Sequence, residues 1–160
     1  MIKRLYPNCI TETLRGNVPT RLNALKSGKY DAVILALAGI ERLGIDTSEF
    51  NLIKLDPEKF VPASCQGIIA LQCVKGTKTE EILKEINHID TKIVFDIERK
   101  LMCLLGADCH DAAGVYAVKN SDKISITAFY KTSPVLKTEI DINNIENEII
   151  KMAGDLKNGI

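Results

Sequence analysis

The stretch Leu104-Leu105-Gly106-Ala107-Asp108-Cys109-His110-Asp111-Ala112-Ala113-Gly114 sets one thiol between two glycine-bounded turns. A thiol so placed either holds a ligand or fills a small apolar space, since free cysteine is among the most buried residue types. The neighbouring carboxylates of Asp108 and Asp111 disfavour a thiolate, which argues against a nucleophile that cycles by ionising. His110 is adjacent in sequence, and adjacency alone does not build a Cys-His pair.

A second group of reactive residues lies in Leu14-Arg15-Gly16-Asn17-Val18-Pro19-Thr20-Arg21-Leu22. The pattern reads as a strand end, a glycine turn and a helix start. Helix N-termini present free N–H groups to anions. Arg15 in the turn and Arg21 about one helical turn inside add two planar forks that match carboxylates bidentately. Each charge-assisted hydrogen bond is worth roughly 1.5–3 kcal/mol. The plain alternative is a pair of solvated surface arginines. Arg42, in Gly39-Ile40-Glu41-Arg42-Leu43-Gly44, follows the next strand-to-helix turn and either joins the same edge or pairs with Glu41. Ligands of open α/β sheets bind off the carboxyl ends of strands, where both arginine clusters fall in this reading.

The elements that must position these residues follow from periodicity. Residues 2–6 read as the end of a helix and 9–14 as a strand. Residues 18–26 read as a helix with Asn17 as its cap. The nearly continuous apolar run Asp31-Ala32-Val33-Ile34-Leu35-Ala36-Leu37-Ala38 predicts a central parallel strand, followed by a short helix and a further strand at 52–55. Residues 68–74 predict another strand. Thr77-Lys78-Thr79-Glu80 fits a capping box for a helix to about Asn87. Ile93, Val94, Ile97, Leu101, Leu104 and Leu105 line one face of a longer helix that Gly106 ends. Three strands, at 115–118, 124–128 and 135–142, then precede an amphipathic helix through Ile145, Ile149, Met152 and Leu156. The expected fold is a partial α/β domain, half of a periplasmic-binding-protein type, over residues 1–62. A crossover strand over 63–76 follows. Residues 77–160 complete it as an α+β domain with a three-stranded antiparallel sheet and helices on one face. The first part holds too few strands to close a doubly wound sheet, which predicts a piece of a longer chain.

Composition bounds the rest. The chain has 160 residues, 46% hydrophobic and 26% charged, with 21 basic and 21 acidic side chains. No global field favours nucleic acid or a membrane surface, so an anion site must be local. No apolar run reaches the length of a membrane span. Five cysteines without framework spacing, and no CxxC pair, predict reduced thiols in a cytoplasm and no zinc site.

Arg15-Gly16-Asn17-Val18-Pro19-Thr20-Arg21-Leu22, the 31–39 run and Glu41-Arg42-Leu43-Gly44 together resemble the porphobilinogen deaminase (hydroxymethylbilane synthase) family. Val61-Pro62-Ala63, Gln66-Gly67 and Glu98-Arg99, ten residues before Cys109, continue the pattern over nearly the whole chain. The resemblance implies a transferase of tetrapyrrole and haem biosynthesis. It joins four porphobilinogen units head to tail into hydroxymethylbilane, releasing ammonia at each step, on a dipyrromethane cofactor. It implies that Cys109 is the thioether anchor of that cofactor. It implies that Arg15 and Arg21 bind the acetate and propionate groups of cofactor and substrate, and that Arg42 lines the site of the growing chain. One-time capture of an electrophilic pyrrolic cation needs little thiolate, which is compatible with the flanking acids.

This sequence also departs from the family. Ala107-Asp108 stands where Gly-Gly is frequent, Ala112 where a proline is frequent, and Cys65 where a glycine is frequent. The N-terminal domain of the family, with its catalytic aspartate and further cofactor-binding arginines and lysine, is expected to be missing. The chain alone is therefore expected not to turn over porphobilinogen, to hold little cofactor, and to self-associate through strand edges left without partners. A different function using the same arginines is a non-covalent carboxylate-binding module of periplasmic-binding-protein type. The two readings part at Cys109, where only the first expects a linked dipyrrole.

Overall fold

The computed structural model describes residues 1–108 and 110–160. It divides the chain into two units, Met1–Leu55 and Asp56–Ile160.

The first unit carries three short helices, α1 (Ile2–Leu5), α2 (Val18–Lys26) and α3 (Leu37–Arg42). Asn17 starts α2 as its sequence pattern demands: the side-chain oxygen accepts from the Thr20 N–H at 2.9 Å and the Thr20 hydroxyl at 2.7 Å. Helix α3 lies against the first turn of α2, since a Cβ on Gly39 would sit 3.7 Å from a Val18 methyl. The strands expected at 9–14, within 31–38 and at 52–55 form no ladder among the described residues, and Leu37 and Ala38 belong to α3. Periodicity recognises an apolar extended segment, but only hydrogen-bonded neighbours make it a strand. Here the neighbours are not in place, and Ile10 stays 91% exposed.

The second unit opens with turns at 57–60, the 61–67 loop and an extended segment at 68–74 that also joins no ladder. Residues 68–71 line an open groove of about 350 Å³ with Leu83, Ile86 and Phe95, and Ile69 there stays exposed. Helix α4 (Lys78–Glu85) follows. Its start differs from the expected capping box. The Thr77 hydroxyl donates back to the Val74 carbonyl at 2.8 Å, and Glu80 accepts from the N–H of Gly76 at 2.6 Å, one residue further out. That backbone bond is the main reason the Glu80 carboxyl titrates below its usual range, with Lys84 assisting.

Helix α5 (Ile89–Leu105) leads into strands β1 (Ala113–Asn120), β2 (Lys123–Tyr130) and β3 (Leu136–Asp141), an antiparallel sheet in the order β1-β2-β3. After a 3-10 turn, helix α6 (Ile145–Asn158) ends the chain. The register pairs Val115 with Ala128, Ala117 with Ile126 and Ile124 with Ile140. All six point to one face and enter a single core with Ile97, Leu101 and Leu105 of α5 and Ile149, Met152 and Leu156 of α6. On the other face, Phe129 is covered at Gly114, where an added Cβ would meet the Phe129 ring at 2.5 Å and the Pro62 carbonyl at 2.7 Å. This is the expected α+β half with its three-stranded sheet. No helix among the described residues is long and apolar enough to cross a membrane.

Candidate functional site

The stretch around position 109 is built by its neighbours. Helix α5 stops at Gly106, left-handed at φ 66, whose N–H donates to the Cys103 and Met102 carbonyls. Beyond it, the two acids act on the backbone. Asp108 Oδ1 accepts from the N–H of His110 at 2.7 Å and of Asp111 at 3.2 Å. Asp111 Oδ2 accepts from the Asp108 N–H at 3.1 Å. Asp111 also faces the Lys131 ammonium at 3.5 Å, and the Lys131 N–H donates to the Ala112 carbonyl at 2.6 Å. A hydrogen bond to Tyr130, then the Asp111 carboxylate, push the Lys131 ammonium above the ordinary lysine range. Side-chain oxygens thus shape the turns. Cys109, the expected anchor, lies outside the described residues.

Beside these turns is an open cleft of about 740 Å³, lined by Ser64, Cys65, Arg99, Asp108 and Asp111 among others. Its lining sets the Arg99 guanidinium beside an apolar floor that includes Phe95 and Met102. Cys65 has φ 62, a left-handed backbone that glycine adopts freely and cysteine rarely. Its sulfur lies 3.3 Å from the Ser64 hydroxyl. Cysteine at this position therefore holds a strained backbone.

In the first unit, Arg15 and Arg21 stand at the start of α2. Gly16 has φ 123, which only glycine takes without strain, and a Cβ there would crowd Thr20 at 3.1 Å. Arg21 is half-buried and folds back, its Nε donating to the Gly16 carbonyl at 2.8 Å. That bond holds its guanidinium over the turn that carries Arg15. Arg15 and Arg42 are exposed and, among the described residues, neither forms an ion pair, so Arg42 is not occupied by Glu41. Arg42 occupies the last turn of α3.

Glu98 was not singled out for a role by its residue type, yet it is the most deeply buried charge among the described residues, 4% exposed. Its two oxygens accept from the Cys65 N–H at 2.5 Å and the Ala117 N–H at 2.9 Å. Burial pushes its carboxyl above the usual range, against the pull of those two N–H groups. The signal was present in the sequence: position 98 falls on the stripe of 94, 97, 101 and 105, where every other residue is apolar.

Residues 1–82 match the family profile described as "Porphobilinogen deaminase, dipyromethane cofactor binding domain". The chain belongs to the porphobilinogen deaminase family. A probable porphobilinogen deaminase of Methanocella arvoryzae is 37% identical, over 98% of this chain and 54% of the relative. One of Methanocaldococcus jannaschii is 41% identical over 85% of this chain and 47% of the relative. The porphobilinogen deaminase of Acetivibrio thermocellus is 39% identical over 81% of this chain and 43% of the relative. The chain thus spans about half the length of the curated relatives it matches. The family's cofactor domain extends through the arginine turn, α3, the 61–67 loop and most of α4.

Proposed function

We propose that this chain is the cofactor-carrying part of a hydroxymethylbilane synthase, with Cys109 as the thioether anchor of a dipyrromethane. The observation that carries this reading is the family membership of a chain whose one thiol at the α5–β1 connection is flanked by a built, acid-capped backbone. The donor set fits the group. A dipyrromethane brings four carboxylates, and the α2 start carries Arg15 and Arg21, while Arg42 is available for a further carboxylate.

When bound, the cofactor supplies the pyrrole carbon on which the chain of substrate units grows. The residues here do the rest that falls to this part of the protein. Arg21, held to Gly16, presents a fixed fork; Arg15 and Arg42 close on carboxylates as they arrive. Asp108 Oδ1 and both oxygens of Asp111 are taken by backbone N–H groups and Lys131, so these acids shape the connection. The apolar segments at 9–14, 31–36, 52–55 and 68–74 correspond to strands of the α/β layer of the whole enzyme, the half of periplasmic-binding-protein type. Residues 63–76 then form its crossover, and 77–160 the attachment domain.

The test is intact mass with an acidic aldehyde colour reaction for pyrroles, on the full-length enzyme. A dipyrromethane adduct is expected on the protein and is expected to vanish in Cys109→Ser with the fold retained. An adduct that survives Cys109→Ser sinks the reading. Arg21→Ala is expected to lower loading and raise KM for porphobilinogen by roughly tenfold or more, in line with one lost charge-assisted contact.

A further inference from the structure

Strand β1 is an edge of the sheet, with β2 on one side only. Its outward N–H groups fall on alternate residues, Val115 and Ala117, and an edge that shows such donors recruits other chains or must be covered. Val115 donates to the Pro62 carbonyl at 3.2 Å. Ala117 donates to Glu98 Oε1 at 2.9 Å. The second oxygen of the same carboxylate takes the Cys65 N–H at 2.5 Å. One side chain therefore joins three segments: the 61–67 loop, α5 and β1.

An apolar residue would serve the α5 stripe better if packing were all that mattered. Burying a carboxylate without a cation is costly, and it is tolerated where both oxygens are hydrogen-bonded. Among the described residues no side-chain cation bonds Glu98; burial raises its carboxyl and the two amides pull against it, with no share from Arg99 on α5 or from Asp108 and Asp111 in the cleft. What the carboxylate secures is specific. It fastens the N–H of Cys65, the residue whose left-handed backbone turns the loop into the cleft. Arg99, the next residue on α5, lines that same cleft.

We propose that Glu98 is the positioning residue of the cleft: its carboxylate locks the 63–65 wall to α5 and β1, and so sets the space that Ser64, Cys65, Arg99, Asp108 and Asp111 share. Its meaning for cofactor handling rests on the deaminase reading above, whereas the lock itself does not.

The experiment uses this chain, without cofactor. In the unmodified protein, the amide proton resonances of Cys65 and Ala117 are followed through pH. Both are expected to move with one shared midpoint above the ordinary glutamate value of 4.5. Separate midpoints, or no titration of either, overturn the proposal. In Glu98→Gln one of the two N–H groups faces an amide NH2 in place of an oxygen. Peptide-resolved alkylation with iodoacetamide is then expected to speed up at Cys65 on the order of tenfold. Cys103, exposed on the same helix, is expected to keep its rate. An unchanged Cys65 rate in folded Glu98→Gln also overturns it. If that variant does not fold, the titration of the unmodified chain decides. Neither readout involves pyrrole chemistry, so absence of an adduct on the full-length enzyme would end the anchor reading of Cys109 and leave this result standing.

Discussion

Residues 1–55 bury one hydrophobic side chain, Leu22, whereas residues 56–160 gather two helices and three strands around a continuous core. Both regions are rich in isoleucine, leucine and valine. They differ in where backbone partners come from. In the second unit α5, the sheet and α6 are consecutive in sequence, so each strand finds its neighbour across a short turn. In the first unit the apolar runs read as parallel strands, which pair only across long connections and in layers covered on both faces. Such strands form when every neighbour is supplied; without them the runs stay extended and apolar. What holds the first unit is local instead: the Asn17 cap, the Arg21 bond to Gly16 and short helices.

The strongest way to break this comparison is to remove matching methyl groups from both units. Leu101→Ala, at a fully buried site, is expected to cost about 2–5 kcal/mol in denaturant unfolding. Ile34→Ala, at a side chain 54% exposed, is expected to stay within about 0.5 kcal/mol. Similar costs at both sites would mean that the first unit has a core of its own. Gly114→Ala comes next. Its new Cβ meets the Phe129 ring and two backbone carbonyls, of Val61 and Pro62, that cannot swing aside, so a loss of about 1–3 kcal/mol is expected by the same melt. A neutral result would free the 61–62 backbone from β1.

Asn17→Ala sharpens the other side of the comparison. Its expected cost is about 1 kcal/mol, confined to α2, and visible as faster amide exchange at Thr20 with the second unit unchanged. The smallest effect is the pH slope from Glu98. Its folded carboxyl titrates above the unfolded value, so the folded chain holds the proton to higher pH than the unfolded chain does. The contribution is full below pH 4.5 and is lost as pH rises through the raised value. Unfolding free energies measured across that window are expected to fall with pH relative to Glu98→Gln, which lacks the slope; parallel curves would contradict it.

Helix α5, its stop at Gly106, the three strands and α6 were legible because each rests on a period of apolar residues and a turn or cap within a few positions. The arginine turn was legible for the same local reason. The Thr77–Glu80 pattern marks the start of α4 but not its bonds, because the choice between neighbouring N–H donors is settled by loop geometry. The runs at 31–36 and 68–74 were legible as strand candidates only, since a ladder belongs to two segments and a single sequence window contains one.

The sequence by itself determined the local pieces: the cap at Asn17, the stripe of α5, the alternation of β1 to β3, and the two acids around position 109. It also carried the family. Tertiary structure alone decided that the Asp111 carboxylate faces Lys131. It also decided that Gly114 yields its side chain to a passing backbone, and that Glu98 joins Cys65 to Ala117. The physical reason is clearest at Glu98. A cap or a stripe is satisfied within one turn of chain, whereas a buried polar group needs partners that only folding brings within hydrogen-bond reach.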